Sequence, residues 1–585
     1  MSSKHFINDP TKLVDTACKS ITYTNPNVAF DAENKVLYLR PDAAPSQVSI
    51  VSGGGSGHEP SFGAFVGPGL LSGAVAGTIF ASPSAEQVRR AIFSRVDTSK
   101  GILVVVMNYT GDVLNFGMAV EKAKAAQLNC EMVVMGDDVG VGREKGGKVG
   151  RRGIAGTVLI HKIAGALAAS GASLKDVHKA AQTVADNTVS IGSSLSHVHV
   201  PGRAAVEGEE ELKQDEVEIG MGIHNEAGAS RAKADLPTLV KTMLEYLLDQ
   251  NDKDRAFLNV SSSDETVLLI NNLGGVSVLE LGGITTEVVV QLEKDYGIKP
   301  VRIIAGTFMT SLNGLGFSIS ILKATDLGVG KSVLELLDAP SEAAGWAAAI
   351  STKTWSQKPS QTRDTGAGTG GDNKPCGFQF DPKHATKALN DALNRLIKAE
   401  PDITRYDTVV GDGDCGIGLK RGAEGIQKYI NGTSEQPDAA LYLDKVIEIV
   451  ENTMDGTSGA LYAIFLNALA WGLRQQGNGG SKQITPDVWA NALNTAMESL
   501  AKYTPAKPGD RTLVDALAPF VEQLKATGDV QKAAQAADEG SKSTKGMKAS
   551  LGRTVYVGGS GFEEVPDPGA YGLAEFLSGL ADALK

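Results

Sequence analysis

The chain has 585 residues, ordinary apolar content, 68 glycines and a formal net charge of −12. That length exceeds one hydrophobic core and predicts roughly three to four domain-sized units. The acidic balance argues against non-specific binding to nucleic acid or anionic membranes, but not against an anionic substrate held in a local basic or metal-lined pocket.

In chain order, Gln47–Ser52, Ile102–Met107 and Glu131–Met135 are short, β-branched-rich runs that end in polar or small residues, the pattern of buried strands. Ser84–Ser94 and Val113–Ala126 have helical composition between them, so the first lobe, about 1–195, is predicted to be α/β with ligand loops at its strand ends. The pattern restarts in a second lobe, about 196–345, with strands at Thr266–Asn271, Val301–Ile304 and Phe317–Leu322 and helices at Pro237–Leu248 and Val276–Tyr296. An apolar strand runs into Gly53-Gly54-Gly55 in one lobe and into Gly274-Gly275 in the other, a weak internal echo. Residues 351–377 are rich in Ser, Thr, Gly and Pro and predict a flexible linker. Beyond it, His384–Glu400, Ala439–Met454, Ala460–Gln475, Pro486–Tyr503, Leu513–Ala526, Val530–Lys545 and Ala570–Leu584 predict an all-α unit over about 378–585.

The four cysteines, Cys18, Cys130, Cys376 and Cys415, are widely separated, which excludes a zinc framework or disulfide scaffold and fits a reducing compartment. The opening MSSKHFINDP has no apolar signal-peptide core, and no run reaches the ~18 apolar residues of a membrane span. With no SKL- or KDEL-type ending, a soluble cytoplasmic protein is expected.

Three segments carry chemistry in the first two lobes. Val51-Ser52-Gly53-Gly54-Gly55-Ser56-Gly57-His58-Glu59 follows a strand. Its glycines can open backbone N–H groups to a small polar ligand beside His58 and Glu59, or can simply form a tight turn. It is not a G-x-x-x-x-G-K-[ST] loop. Asp112, in Met107-Asn108-Tyr109-Thr110-Gly111-Asp112, stands at a strand's C-terminal edge as a candidate base, although a helix N-cap explains it more simply. His224, in Gly220-Met221-Gly222-Ile223-His224-Asn225-Glu226, is a nucleophile, a donor or a structural histidine. His197 and His199 have the spacing of one strand face but lack a third zinc ligand.

The all-α unit contains the most informative stretch, Tyr406-Asp407-Thr408-Val409-Val410-Gly411-Asp412-Gly413-Asp414-Cys415-Gly416. Three carboxylates, Asp407, Asp412 and Asp414, repel one another at short range unless a hard cation neutralises them. The Asp/Asn ladder of an EF-hand is missing. Met454-Asp455-Gly456-Thr457-Ser458-Gly459 adds hydroxyls and N–H groups suited to phosphate, which points to Mg²⁺ with a nucleotide; a solvated acidic turn is the plainer alternative.

Taken in order, GGGSGHEP, NYTGD, GDD, VGREKGG, VGRRGIAGTVLIHK, MGIHNE, NNLGG, GDGDCG, GTSG, GDRTLVDAL, a GR-x-x-Y-x-G segment and DPGAYG resemble the ATP-dependent dihydroxyacetone kinases of the fused eukaryotic type, over essentially the whole chain. The resemblance implies a two-lobed α/β substrate domain followed by an eight-helix nucleotide domain. In it, His224 forms a hemiaminal with the ketone carbon of dihydroxyacetone, His58 assists by hydrogen bonding, and Asp112 takes the proton of the terminal hydroxyl. Gly55, Ser56 and Gly57 cradle the substrate. Asp407, Asp412 and Asp414 hold Mg²⁺ against ATP, with Gly413, Asp414, Cys415 and Gly416 around the nucleotide. Thr457 and Ser458 meet phosphate, Thr512 and Leu513 lie near adenine, and Asp567, Pro568 and Gly569 form a nucleotide-contacting loop. A homodimer is implied, with glyceraldehyde as a second substrate because its aldehyde can form the same adduct.

Two departures from the family pattern stand out. Met107 occupies a position where many members have a substrate-contacting Lys, which implies weaker substrate binding with the mechanism intact. Asp455 replaces the usual Gly before Gly-Thr-Ser-Gly. Cys415 follows the eukaryotic-type pattern where many bacterial relatives have His. Other readings are a phosphoenolpyruvate-fed relative, disfavoured by the fusion; a silent dihydroxyacetone sensor, disfavoured by the intact Asp407, Asp412 and Asp414; and a lyase that splits FAD at the same nucleotide site.

Overall fold

The structure is a computed structural model that describes residues 4–203, 212–213, 215–347, 350–357, 374–432, 436–454, 456–477, 480–551 and 561–585. The chain divides into two compact units, Met1–Gln361 and Thr362–Lys585.

The first unit holds two six-stranded sheets. In the first sheet Gly73–Ile79, Ser49–Ser56, Ile102–Met107 and Cys130–Met135 are parallel neighbours in that order, and the hairpin Val28–Asp31/Val36–Leu39 adds antiparallel to the Gly73–Ile79 edge. Ile102–Met107 is buried along its whole length. Leu103, Val105 and Met107 join one apolar cluster, while Ile102, Val104 and Val106 join another. Alternate residues thus feed opposite faces, and a strand covered on both faces reads as an unbroken apolar run. On one face, Ala85–Ser94 starts with a capping box between Ser84 and Gln87, and Thr110–Ala125 packs beside it through Phe116 and Val120. The helix Thr157–Ala169 is buried nearly all round, as expected of a helix apolar on every side.

The second sheet runs Arg302–Gly306, Thr266–Asn272, Gly316–Lys323, Thr188–Ser194, Val217–Ile219 and Ser230–Ala232. Only the first pair is parallel. Thr188–Ser194 lies inside this sheet, so the boundary expected near 195 falls before residue 188. The strand escapes a hydrophobicity search because TVSIGSS alternates Val and Ile with Ser; Ser190 Oγ donates to Ser320 Oγ at 2.6 Å and Ser193 Oγ to Glu218 O at 2.9 Å. His197 and His199 are not on a strand. His197 Nε2 is 2.7 Å from Glu218 Oε2, and His199 stacks on His5.

The expected linker 351–377 opens with a helical segment, Thr352–Gln357. Thr352 Oγ1 donates to Asp338, and Trp355 lies against the Arg302 guanidinium. Residues 358–373 lie outside the described residues. The second unit has eight helices among the described residues: Pro382–Val410, Cys415–Gly432, Ala439–Thr453, Gly456–Gln476, Pro486–Leu500, Val514–Thr527, Val530–Ser543 and Pro568–Ala583. They surround a cavity of about 610 Å³ with an almost wholly apolar lining that includes Leu393, Ile426, Phe465, Trp489 and Phe576. Its only described strands are the two-residue pair Phe378–Gln379 and Lys482–Gln483.

Candidate functional site

In the first unit, residues from both sheets meet around two imidazoles. The strand Ser49–Ser56 runs through the glycines that the sequence reading placed in an open loop: Gly53 and Gly54 pair with Val75 and Ala76, and a bulge follows. Glycine is required there by crowding, since a Cβ on Gly55 would stand 2.7 Å from Ala81 N. Gly57 has φ +103 and a Cβ there would meet Phe80 at 2.7 Å, so only glycine carries the chain past that ring to His58. Ser56 Oγ donates to Gly77 O at 2.8 Å, so its hydroxyl proton is committed within the fold.

His58 is fully buried. Its Nδ1 lies 2.7 Å from Thr310 O, a group that only accepts, so Nδ1 carries the proton and Nε2 the lone pair. Burial, then the neighbouring His224, pushes the His58 pKa down to about 3, so the ring is neutral. His58 Nε2 is 3.0 Å from His224 Nε2, and His224 Nδ1 is 3.1 Å from Glu226 Oε1. A carboxylate and an unprotonated nitrogen both accept, so His224 donates through both nitrogens. Glu226 also accepts from the His224 backbone N–H at 2.8 Å. Although burial opposes it, pairing with His224 holds the Glu226 carboxyl down at about 2. Phe80 and Tyr109 stand edge-on to the His224 ring, with centroids 5.2 and 4.7 Å away.

Asp112 is not the N-cap. The helix Thr110–Ala125 is capped at Tyr109, and Asp112 sits inside its first turn, 4% exposed. Burial raises its pKa, opposed by a hydrogen bond from Ser82 and by the charge of His224. Asp112 Oδ1 and the Tyr109 hydroxyl are buried without a hydrogen-bond partner among the described residues. Two such atoms beside a histidine pair fit a site that a small polyhydroxylated ligand completes. Met107 is 1% exposed in the apolar cluster with Val105, Met135 and Ile154.

In the second unit, Asp407, Asp412 and Asp414 offer carboxylate oxygens within 4.8 Å of one another. Asp407 is not in the loop. The first helix continues through Pro401 to Val410 because Ile403 packs fully buried behind it, overriding the local propensity. Cys415 N donates to Asp407 Oδ2 at 3.0 Å, and Gly413 turns with φ +79. Cys415 Sγ lies 3.8 Å from Ser458 Oγ, which joins the N-termini of Cys415–Gly432 and Gly456–Gln476. Burial raises the Cys415 thiol to about 12, with the nearby charges of Asp407, Asp567 and Asp414 adding to it. Gly416 lets that helix start against its predecessor, since a Cβ there would be 2.3 Å from Thr404 Oγ1.

Thr457 follows Gly456 at the next helix start, and Asp455 lies outside the described residues, as does the GR-x-x-Y segment. Asp567 caps Pro568–Ala583 through a 2.7 Å bond from Ala570 N, and its burial pushes the carboxyl up to about 7. A Cβ on Gly569 would meet Leu513 Cβ at 3.5 Å, which sets that helix start beside Val514–Thr527. Thr512 N donates to Asp515 Oδ2 at 2.8 Å. Three carboxylates beside converging helix N-termini are a donor set for a hard cation together with phosphate oxygens.

The sequence reading missed Glu226, Tyr109, Thr310 and Phe80 as members of the histidine site. Glu226 closes the MGIHNE segment and was within reach. Thr310 and Phe80 have no local signal, because only the fold brings them to His58.

Residues 19–345 match the family model described as the Dak1 domain, and residues 409–582 match the DAK2 domain. The chain is 44% identical to the dihydroxyacetone kinase of Pichia angusta, across 100% of this chain and 99% of that one. It is 36% identical to the triokinase/FMN cyclase of Homo sapiens across 100% of both. The crystal structure of the dihydroxyacetone kinase from C. freundii in complex with AMP-PNP and Mg²⁺ matches with a TM-score of 0.63 and 30% identity, covering 99% of this chain and 100% of that one.

Proposed function

The chain belongs to the dihydroxyacetone kinase family, in its fused two-domain form, and we propose that it transfers the γ-phosphate of ATP to a terminal hydroxyl of dihydroxyacetone held as a hemiaminal on His224. The observation that carries this reading is the relay Glu226–His224–His58–Thr310, in which the last partner fixes every proton. His224 passes its Nε2 proton to His58 Nε2. The freed lone pair forms the bond to the ketone carbon, the carbonyl π pair moves to oxygen, and that oxygen takes the proton from His58. The ring is left as an N-substituted imidazolium, and the Glu226 carboxylate balances its charge.

Asp112 then takes the proton of the terminal hydroxyl as its oxygen bonds to the γ-phosphorus and the bond to ADP breaks. Its buried, unpartnered Oδ1 supports this role. Asp407, Asp412 and Asp414 would hold Mg²⁺, which when bound supplies charge neutralisation for the phosphates. Thr457, Ser458 and the backbone of Gly413–Gly416 offer hydroxyls and N–H groups to those phosphates, and Thr512, Leu513 and Asp567–Gly569 border the base. Glyceraldehyde carries a carbonyl and follows the same route; glycerol does not. The family resemblance further implies a homodimer working in the cytoplasm, and no helix among the described residues is long and apolar enough to cross a membrane.

Carbon-13 NMR of [2-¹³C]dihydroxyacetone with the protein tests the adduct directly. The reading requires a bound, tetrahedral carbon signal that disappears in His224→Ala; a bound ligand that keeps its carbonyl signal refutes it. A second reading is favoured by the human relative, whose name pairs triokinase with FMN cyclase: the same nucleotide site would split FAD. Release of AMP from FAD, lost together with kinase activity in Asp412→Asn, distinguishes that reading from a kinase-only enzyme.

A further inference from the structure

One charged side chain beside the histidine pair has no part in the steps above. Arg152 is 14% exposed at its side chain. Its Nε and Nη2 contact Asp138 Oδ2 at 2.9 and 2.7 Å, and Nη2 also donates to Gly220 O at 2.8 Å. Asp138 is itself fully buried, and its other oxygen accepts from Gly140 N at 2.8 Å. The guanidinium is therefore clamped from one side and tied to the first residue of the segment that carries His224.

Its free edge meets that segment again. A Cβ on Gly222 would stand 2.1 Å from Glu226 Oε2 and 2.5 Å from Arg152 Nη1. The ends of both side chains thus converge over the one backbone position that has no side chain. Glu226 in turn bonds His224 through both the ring Nδ1 and the backbone N–H. The order is Asp138, Arg152, Glu226, His224, His58, with charge alternating along its first three members.

We propose that Arg152 is a positioning residue for the reaction at His224: clamped by Asp138 and the Gly220 carbonyl, its guanidinium keeps Glu226 ionised and turned to His224 Nδ1, so that the Nε2 lone pair is the one offered to the carbonyl. The groups facing that ring are His58 from the first sheet's strand end, Tyr109 and Asp112 from the start of Thr110–Ala125, and Glu226 from its own loop, with Arg152 beside Glu226 as the permanent cation of the set. The carboxylate matches the imidazolium of the adduct, and the guanidinium keeps that carboxylate from taking the proton.

The proposal rests on the hemiaminal reading. It is tested by kcat and KM for dihydroxyacetone in the full chain, alongside the carbon-13 adduct signal. Arg152→Gln loses most of the adduct population, with kcat/KM at neutral pH down roughly tenfold. Glu226→Gln gives the same loss, and the double variant loses no more than either single one, because both act through the same contact. Arg152→Lys keeps the charge but not the fork, so it too loses adduct population, though less of it. If Arg152→Gln is too unstable to assay, the adduct populations of Glu226→Gln and Arg152→Lys decide. A wild-type adduct population in the Arg152 variants overturns the role of Arg152 and leaves the kinase reading intact. Turnover without adduct in the wild type overturns the hemiaminal, and the proposal with it.

Discussion

His58 Nε2 and His224 Nε2 lie 3.0 Å apart although 166 residues separate them in the chain. One follows the strand Ser49–Ser56 of the first sheet; the other follows Val217–Ile219 of the second. A third loop, after Arg302–Gly306, ties them together: Thr310 N donates to His58 O, Leu312 N to Gly57 O, and Ser311 Oγ to Ile223 O beside His224. Two sheets are needed to build this pair, and the neutral state of His58 depends on the burial that their junction provides.

His224→Ala removes the only nucleophile of the relay. Turnover of dihydroxyacetone with ATP is expected to fall at least about 10³-fold, with Mg-ATP binding to the second unit unchanged by calorimetry. Retention of a tenth of the activity would contradict the covalent role.

Asp112→Asn keeps the shape of the helix start and removes the base. The expected loss in kcat is about 10²–10⁴-fold, while the carbon-13 adduct persists because His224 and His58 are untouched. Loss of the adduct along with turnover would show Asp112 acting in binding instead.

Asp407→Asn, Asp412→Asn and Asp414→Asn each remove one oxygen donor of the acidic cluster. Outer-sphere changes at metal sites already cost about 10–100-fold, so Mn²⁺ affinity in the presence of AMP-PNP, read by electron paramagnetic resonance, should fall at least tenfold in each. Adduct formation in the first unit should be preserved. Wild-type Mn²⁺ affinity in all three would rule out the carboxylates as ligands.

Acid weakens this protein through its buried histidines. His58 and His161 titrate near 3 when folded, because burial disfavours the charged ring, and near 6.5 when unfolded. The unfolded chain binds more protons between those values, so stability falls as pH drops from about 6.5 toward 3. Glu226, at about 2 when folded, stabilises above its unfolded value near 4.3 and loses that contribution as pH falls further. His161→Gln can keep the donor that His161 Nε2 presents to Ser52 Oγ at 3.0 Å while removing a titrating ring. Denaturation midpoints between pH 6 and 4 should then fall less steeply, by about one proton; an unchanged slope would contradict the assignment.

Met107→Lys restores the residue that many family members carry. One regained charged hydrogen bond to substrate lowers the KM for dihydroxyacetone by about tenfold, and the melting temperature falls because an ammonium enters the cluster around Val105 and Met135. An unchanged KM would remove Met107 from the substrate site.

The apolar runs that form buried strands and helices, such as Ile102–Met107 and Pro486–Leu500, were legible because burial on fixed faces leaves a periodic signal. Cys415–Gly432 was not, since its five glycines carry a helix penalty. Three of them are there for packing: a Cβ would be 2.3 Å from Thr404 Oγ1 at Gly416, 2.5 Å from Met454 Sδ at Gly422 and 2.9 Å from Ile449 Cγ2 at Gly425. Thr188–Ser194 is hidden by its serines, and the helix expected over His384–Glu400 runs on through Pro401 to Val410, taking Asp407 with it. At the site, His58, His224 and Asp112 were visible as isolated residues. Their relation, and the membership of Arg152 and Thr310, follow from the junction of two sheets and have no local trace.

The most direct test of the account is ATP consumption by the purified chain with Mg²⁺, comparing dihydroxyacetone with glycerol at equal concentration. The account predicts turnover on dihydroxyacetone and none on glycerol, because only a carbonyl can bond to His224. Equal turnover on glycerol would contradict it.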